Sequence, residues 1–161
     1  MNAATTSLLD QAQAATHHSL AILQNVAVRI NGACNESQPG PIAARLLERF
    51  HTGVHTLDIA FCPHLTATTP QPAFWVPYAA GLIRCPACMS RRLHRSLKGT
   101  ETHRCDNCRR RAVTIHVYGV QIPAVVLELS DRAVSLPPVQ IHFGLCPPCK
   151  QIDQQPVKAT A

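Results

Sequence analysis

Apolar residues recur at intervals of three and four over residues 6–30, which is the spacing of one face of a helix. Thr6 or Ser7 can cap such a helix at its start, and Gly32 can end it. The periodic positions are Leu8, Ala12, Ala15, Ser19, Leu23, Val26 and Ile30. The sequence therefore predicts an amphipathic first helix.

A second helix is predicted after a short polar turn, because Pro41 suits the first turn of a helix. Apolar residues then follow at intervals of four and form a single stripe. They are Ile42, Leu46, Phe50 and Val54. Two short amphipathic helices in succession most simply pack against each other, since tertiary contacts supply most of their stability. We expect a helical hairpin over residues 1–58.

The second half of the chain alternates apolar and polar residues in three segments, which is typical of strands with one buried face. The segments are 113–118, 125–129 and 139–143. Asp131 and the Pro137–Pro138 pair mark a turn between the last two. This pattern predicts a three-stranded antiparallel meander.

Most of the eight cysteines occur in closely spaced pairs. The pairs are Cys62 with His64, Cys85 with Cys88, Cys105 with Cys108, and Cys146 with Cys149. A Cys-x-x-Cys turn presents two sulfurs to one ion, and two such turns complete a closed tetrahedral zinc site. These ligands predict two zinc ions per chain. Cys34 is left over and is expected to be an ordinary small apolar residue.

The spacing alone leaves open which pairs share an ion. The stretch Cys85–Cys108 fits a zinc-ribbon spacing. Pairing by order would instead join the first pair with the second and the third with the fourth. A cross-braced arrangement would join the first with the third and the second with the fourth. His64 is the weakest ligand, and His94 and His103 lie close enough in sequence to replace it.

The last two pairs and their neighbouring strands resemble a bacterial zinc module. In that module a Cys-x-x-Cys turn leads into an Ala-Thr-Val-His strand, and a returning strand ends in Leu-Cys-x-x-Cys. Here Cys105–Cys108 precedes residues 112–116, and residues 139–145 end at Cys146–Cys149. The module is known from the zinc-binding activator subunit of bacterial protein-arginine kinase and from similar small regulators. The second half also resembles small actinobacterial proteins with a Trp-x-Pro segment before the middle pair. The resemblance implies pairing by order.

Together these patterns predict an α+β fold. A helical hairpin over residues 1–58 is followed by a small antiparallel β region that zinc organises, of the zinc-ribbon or treble-clef kind. Residues 59–104 are expected to form a first zinc module. Residues 105–161 are expected to form a second one, with the meander and a short tail.

The formal net charge of +6 is concentrated beside the cysteine pairs. Residues 84–111 hold nine basic and two acidic side chains, whereas the rest of the chain holds six basic and seven acidic ones. Arginine forks suit phosphate, so this stretch predicts contact with the backbone of DNA or RNA. The predicted contacts are Arg91, Arg92, Arg95, Lys98, Arg109, Arg110 and Arg111. Aromatic residues that stack on bases are few, so base-specific recognition is not indicated.

Other interpretations compete with nucleic-acid contact. The basic groups can simply offset the negative charge of zinc–thiolate sites. The hairpin and the meander can instead serve as docking surfaces of a protein–protein adaptor. An enzyme is not expected, because closed four-ligand sites lack the open position of catalytic zinc. A redox role for Cys146 and Cys149 is not expected either, because no thioredoxin-like βαβ pattern surrounds them.

A cytoplasmic location is expected from the amino-terminal region. It has no basic segment followed by an apolar core, and the stretch 20–30 is too short and too polar to span a bilayer. In the reducing cytosol, paired cysteines are more often metal ligands than disulfides. The sequence thus predicts a non-enzymatic structural-zinc protein that is associated with nucleic acid or with regulation.

Overall fold

The structure is a computed structural model that describes residues 3–29, 34–35, 40–66, 71–97, 103–128 and 133–154. Its helices are α1 (Ala3–Arg29), α2 (Pro41–His55), α3 (Pro86–Leu97) and α4 (Pro147–Asp153). Its strands are β1 (Cys34–Asn35), β2 (Ala60–Phe61), β3 (Ala73–Trp75), β4 (Leu82–Ile83), β5 (His116–Ile122), β6 (Val125–Glu128), β7 (Ala133–Leu136) and β8 (Val139–Leu145). This mixture confirms the α+β prediction. Within the described part of the chain, no helix is long and apolar enough to cross a membrane.

Both predicted helices are present, but the predicted hairpin is not confirmed. The four-apart stripe of α2 is buried, as its spacing predicted. Among the described residues, α1 packs on β5 and β8, whereas α2 packs against α4. The two helices therefore find different partners, because the β5–β8 pair offers α1 a sheet surface that the sequence pattern did not anticipate.

The predicted meander is wrong in its strand order. The central sheet has the order β1-β5-β8-β3, and β5 pairs directly with β8, with Val117 opposite Gly144. The segment between them forms a separate β6–β7 hairpin. Every residue of β8 is buried, so this strand needs neighbours on both edges, and β5 and β3 provide them. Val113, expected in a strand, is 89% exposed, and β5 begins three residues later.

A small second sheet joins the central one through β3. Strands β2 and β4 run parallel, with Phe61 opposite Ile83. Immediately after β4, the backbone of Arg84 exchanges two hydrogen bonds of 2.8 Å with the backbone of Phe74 in β3. In the core, the ring of Phe50 from α2 lies 5.3 Å from that of Trp75, edge to face. The segments 1–58, 59–104 and 105–161 all contribute to one apolar cluster.

The start of α2 is capped by a residue from the other end of the chain. Asp153, the last residue of α4, is buried, and its Oδ1 accepts hydrogen bonds from the backbone N–H groups of Ile42 at 2.7 Å and Ala43 at 3.1 Å. The N-cap residue Gly40 has no side chain to do this. A Cβ at position 40 would lie 1.6 Å from the carbonyl oxygen of Asp153, so the close approach requires glycine. Asp153 therefore replaces the usual local cap.

Asp153→Ala should destabilise the metal-loaded protein by about 1–3 kcal/mol, because two N–H groups at the start of α2 lose their acceptor. Asp153→Asn is the matched control, since its amide oxygen still accepts, and it should lose less. The free energy of unfolding in urea measures both. Wild-type stability in the alanine variant would contradict the capping role.

A buried histidine ties α1 to the sheet. Ser19 Oγ and His142 Nε2 form a hydrogen bond between α1 and β8. The ring of Phe74 lies 5.5 Å from that of His142 and 5.3 Å from that of His18. Burial, with a smaller contribution from His18, lowers the pKa of His142 from 6.5 to about 3. His142 is therefore neutral in the folded protein at neutral pH.

This lowered pKa makes the stability depend on pH. Below about pH 6.5 the unfolded state binds a proton at His142 that the folded state excludes. Above pH 6.5 His142 is neutral in both states and does not reduce the free energy of unfolding. As the pH falls from 6.5 toward 3, protonation of the unfolded state lowers that free energy progressively. Between pH 7.5 and 5, wild-type stability should fall relative to His142→Gln, by at most about 1.4 kcal/mol per pH unit. Comparison of the two proteins cancels losses at other groups, and parallel pH curves would contradict a neutral, buried His142.

Candidate metal centres

The first cluster forms where two parallel strands end. Strands β2 and β4 end at the same edge of their sheet. Cys62 lies one residue after the end of β2, and Cys85 lies two residues after the end of β4. The backbone N–H of Cys62 donates to the carbonyl of Ile83 at 2.8 Å. The backbone N–H of Cys85 donates to Cys62 Sγ at 3.2 Å. Strand pairing therefore fixes the two buried sulfurs of this cluster.

The other two ligands of the first cluster lie nearer the surface. His64 is in the turn after Cys62, and its Nδ1 lies 3.3 Å from Sγ of Cys88, which is in the first turn of α3. His64 is exposed and Cys88 is half-buried. One guanidinium N–H of Arg91 donates to Cys88 Sγ at 3.3 Å. The cluster thus has a buried side and a solvent side.

The second cluster joins a tight loop to the end of β8. The loop turns back at Arg109, whose φ is 63°, and the N–H of Arg109 donates to the carbonyl of Cys105 at 2.9 Å. Cys108 Sγ lies 3.7 Å from Cys146 Sγ. Cys149 is in the first turn of α4. Three of the four sulfurs are buried, and Cys108 alone is exposed.

The two clusters share one backbone arrangement that the sequence analysis did not predict. In each, a strand leads into Cys-Pro-x-Cys, and a helix begins at the proline, Pro86 in α3 and Pro147 in α4. First-turn hydrogen bonds of 2.9 Å follow in both, to the carbonyls of Cys85 and Cys146. Proline after the first cysteine was the available signal, because proline favours the first helical position.

Side chains between the paired cysteines brace the second cluster. Asp106 Oδ2 accepts the N–H of Gly144 at 2.7 Å, and the N–H of Asp106 donates to the Gly144 carbonyl at 2.8 Å. Asn107 Nδ2 donates to Cys149 Sγ at 3.3 Å, and its Oδ1 accepts from Arg45 of α2 at 3.2 Å. Nothing in the spacing predicted these contacts, because they join distant parts of the chain.

The donor sets fit divalent metal ions. Within each cluster the ligand atoms all lie within 4.8 Å of one another. Sulfurs bound at about 2.3 Å in a tetrahedron lie about 3.8 Å apart, close to the 3.7 Å between Cys108 and Cys146. A disulfide would need about 2 Å, and the cysteines of both clusters are free thiols. Three sulfurs with an imidazole, and four sulfurs, are both closed sets.

The thiols within each cluster differ in acidity. Burial raises the pKa of Cys85, of Cys105 and, to about 12, of Cys146. Burial also acts on Cys62 and Cys108, but hydrogen-bond donors, first among them the backbone N–H groups of Cys85 and Arg110, outweigh it and lower the pKa. Each cluster therefore combines readily ionised sulfurs with sulfurs that a bound cation would help to ionise.

The structure brings together all eight predicted ligands, in the grouping by order. Neither the zinc-ribbon spacing nor the cross-braced arrangement is the one found. His103 lies outside both clusters, and the side chain of His94 lies outside the described part of the structure.

The predicted phosphate contacts differ in their surroundings. Arg91 and Arg95 are exposed on α3, and Arg109, Arg110 and Arg111 are exposed after Cys108. Arg92 is an exception, because it is half-buried with its guanidinium carbon 5.4 Å from the centre of the Tyr78 ring. That position favours a packing role for Arg92. Lys98 lies outside the described residues.

No protein-family model, curated protein or solved structure matches the chain. The resemblance to the kinase-activator module accordingly stays a prediction, and the chemistry of the clusters has to be argued from their own residues.

We expect two divalent ions per chain by elemental analysis and native mass spectrometry. Cys88→Ser and Cys108→Ser should each lose one ion, because each removes a ligand from a different cluster. Cys34→Ser should keep both and serves as the control. One ion in the wild type, or loss of an ion from the Cys34 variant, would contradict the assignment of ligands.

Proposed function

We propose that this protein is a structural-zinc protein that holds an arginine-rich loop against the backbone of nucleic acid. Zinc is the proposed ion because closed sets of thiolates and imidazole at tetrahedral spacing are its usual protein sites. Catalytic zinc keeps a position open for water or substrate, whereas both clusters offer four protein ligands. Structural rather than catalytic sites are therefore proposed.

The main support for nucleic-acid contact is the arginine loop, residues 104–111. Backbone pairing of Arg104 with Arg111 closes the loop, and Cys105 and Cys108 anchor it in the second cluster. All four arginines of the loop are exposed. An anchored loop that presents several guanidinium groups together suits a phosphate backbone. A loop that is already ordered loses less conformational entropy on binding than a flexible one does.

The hydrogen bonds favour phosphate contact over simple charge compensation. Within the described part of the chain, the guanidinium that bonds a cluster sulfur belongs to Arg91, at the first cluster. In the loop, Arg109 lies 3.8 Å from a carboxylate oxygen of Asp106. No described carboxylate or sulfur is bonded to the guanidinium of Arg110 or Arg111. As far as the described residues show, these two guanidinium groups remain available to a partner.

The backbone of the loop gives a second argument. Arg109 has a φ of 63°, a conformation that glycine adopts without strain and that costs other residues about 1–2 kcal/mol. The side chain of Arg109 is 54% exposed, so little burial offsets this cost. A role in binding explains an arginine at this position.

Replacing Arg109, Arg110 and Arg111 by alanine should weaken binding to DNA and RNA of any sequence. The slope of log K against log salt should fall by up to about 3, because up to three phosphate contacts are lost. The matched control replaces the same residues by lysine, which keeps the charge and should keep most of the slope. Fluorescence anisotropy at several salt concentrations measures binding, and metal analysis shows that both variants stay loaded.

No binding to DNA or RNA at low salt, by wild type and variants alike, would overturn the proposed function. If the alanine variant also lost metal more readily on acidification, the arginines would serve to offset thiolate charge. The adaptor interpretation would then take precedence, and pull-down with the full chain would test it.

A further inference from the structure

Helix α2 brings two further arginines beside the arginine loop. Arg45 and Arg49 are both exposed, and they lie one helical turn apart on the same face of α2. One guanidinium N–H of Arg45 donates to Oδ1 of Asn107, a residue of the loop, at 3.2 Å. Since a guanidinium has five donors, the others are left for a partner. The basic surface of the loop therefore continues onto α2.

A buried carboxylate lies near both Arg49 and an arginine of the loop. The side chain of Asp106 is 6% exposed, and its Oδ1 lies 3.8 Å from Nη1 of Arg109. Burial raises the pKa of Asp106 to about 6, and the N–H of Gly144 and the charges of Arg109 and Arg49 oppose this rise. Among the described residues, the guanidinium of Arg49 has no hydrogen-bond partner. Arg49 thus adds a free donor group next to the loop.

The position of α2 relative to the loop is fixed at two points. Asn107 accepts from Arg45 and donates through Nδ2 to Cys149 Sγ at 3.3 Å, so it connects α2 to the second cluster. Asp153, at the end of α4, caps the start of the same helix through the N–H of Ile42. Groups that are already positioned lose less conformational entropy when a ligand binds.

The charges at this junction favour a partner that carries several phosphates. The arginines of the loop and of this face of α2 are Arg45, Arg49, Arg104, Arg109, Arg110 and Arg111. A neighbouring groove of about 540 Å³ is lined by Arg45 and Arg49, but also by Glu48 and Asp58. These two carboxylates disfavour a phosphate inside the groove. Arg45 lies where the groove meets the loop, since it lines the groove and hydrogen-bonds Asn107. A phosphate chain is therefore favoured across the junction and not within the groove.

We propose that a nucleic-acid backbone that contacts the arginine loop continues across α2, where Arg45 and Arg49 bind further phosphates. This inference rests on the proposed nucleic-acid function and extends the binding surface from one loop to two elements of the fold. The wild-type salt dependence should accordingly be steeper than the loop arginines alone produce.

Arg49→Ala is the main test, because the described residues give Arg49 no hydrogen bond that the substitution would break. With a fluorescein-labelled DNA duplex, the slope of log K against log salt should fall by about 0.9, as loss of one phosphate contact predicts. Replacing both Arg45 and Arg49 by alanine should lower it by about 1.8. Arg49→Lys keeps the charge and should keep most of the slope. Glu48→Gln removes a negative charge from the same surface and should bind more tightly. Metal analysis shows that each variant stays loaded.

Chemical labelling of the wild-type protein locates the contact directly. Phenylglyoxal modifies exposed arginines, and mass spectrometry of peptides identifies them. Bound duplex should protect Arg45 and Arg49, and should leave Arg29, which is exposed on α1, as reactive as in the free protein. A wild-type salt slope in Arg49→Ala, or equal labelling of Arg49 with and without DNA, would overturn the assignment of α2, as would equal protection of Arg29. The proposed function would survive that result if the triple alanine variant of the loop still bound weakly. Absence of all binding by the wild type would instead remove the proposed function itself.

Discussion

Thiolates that are held within 4.8 Å of one another repel unless a cation lies between them. This constraint applies twice in the molecule, and both clusters connect a turn to the beginning of a helix. At the first, the turn after β2 meets the start of α3, and at the second, the loop after Cys105 meets the start of α4. If the clusters hold metal, as we propose, the conformations of these loops depend on the bound ions.

The second cluster affects parts of the chain far from its ligands. Cys146 directly follows β8 and is the N-cap residue of α4, and α4 carries Asp153 to the start of α2. The other side of α2 packs Phe50 on Trp75 in the core. Loss of metal at this cluster would loosen α4 and, through Asp153, also α2. Because a structural zinc ion contributes on the order of 10 kcal/mol, comparable with the stability of a whole domain, such coupling is large enough to govern the fold.

Local patterns were the predictable part of this protein. The stripe on α2 and the grouping of ligands follow from spacing and resemblance, and the structure has both. Strand partners were not predictable, because a period of two identifies strands without saying which ones pair. The β6–β7 hairpin shows this, since it removes a strand from the expected meander. The starts of α3 and α4 were predictable from Pro86 and Pro147 and were missed.

Contacts between distant residues account for the rest. The Ser19–His142 and Asp153–Ile42 hydrogen bonds span 123 and 111 residues, and each pairs a common polar residue with a partner that no motif marks. The packing of Arg92 on Tyr78 was equally hidden, because an arginine in a basic run looks the same whether it faces solvent or a ring. Such contacts depend on the assembled sheet and helices.

X-ray absorption at the zinc edge of the untagged, metal-loaded protein tests the central claim most directly. The account predicts seven sulfur ligands and one nitrogen ligand shared between two ions, with zinc–sulfur distances of about 2.3 Å. A shell dominated by oxygen or nitrogen would contradict it, because the ions would then lie outside the cysteine clusters on which the fold depends.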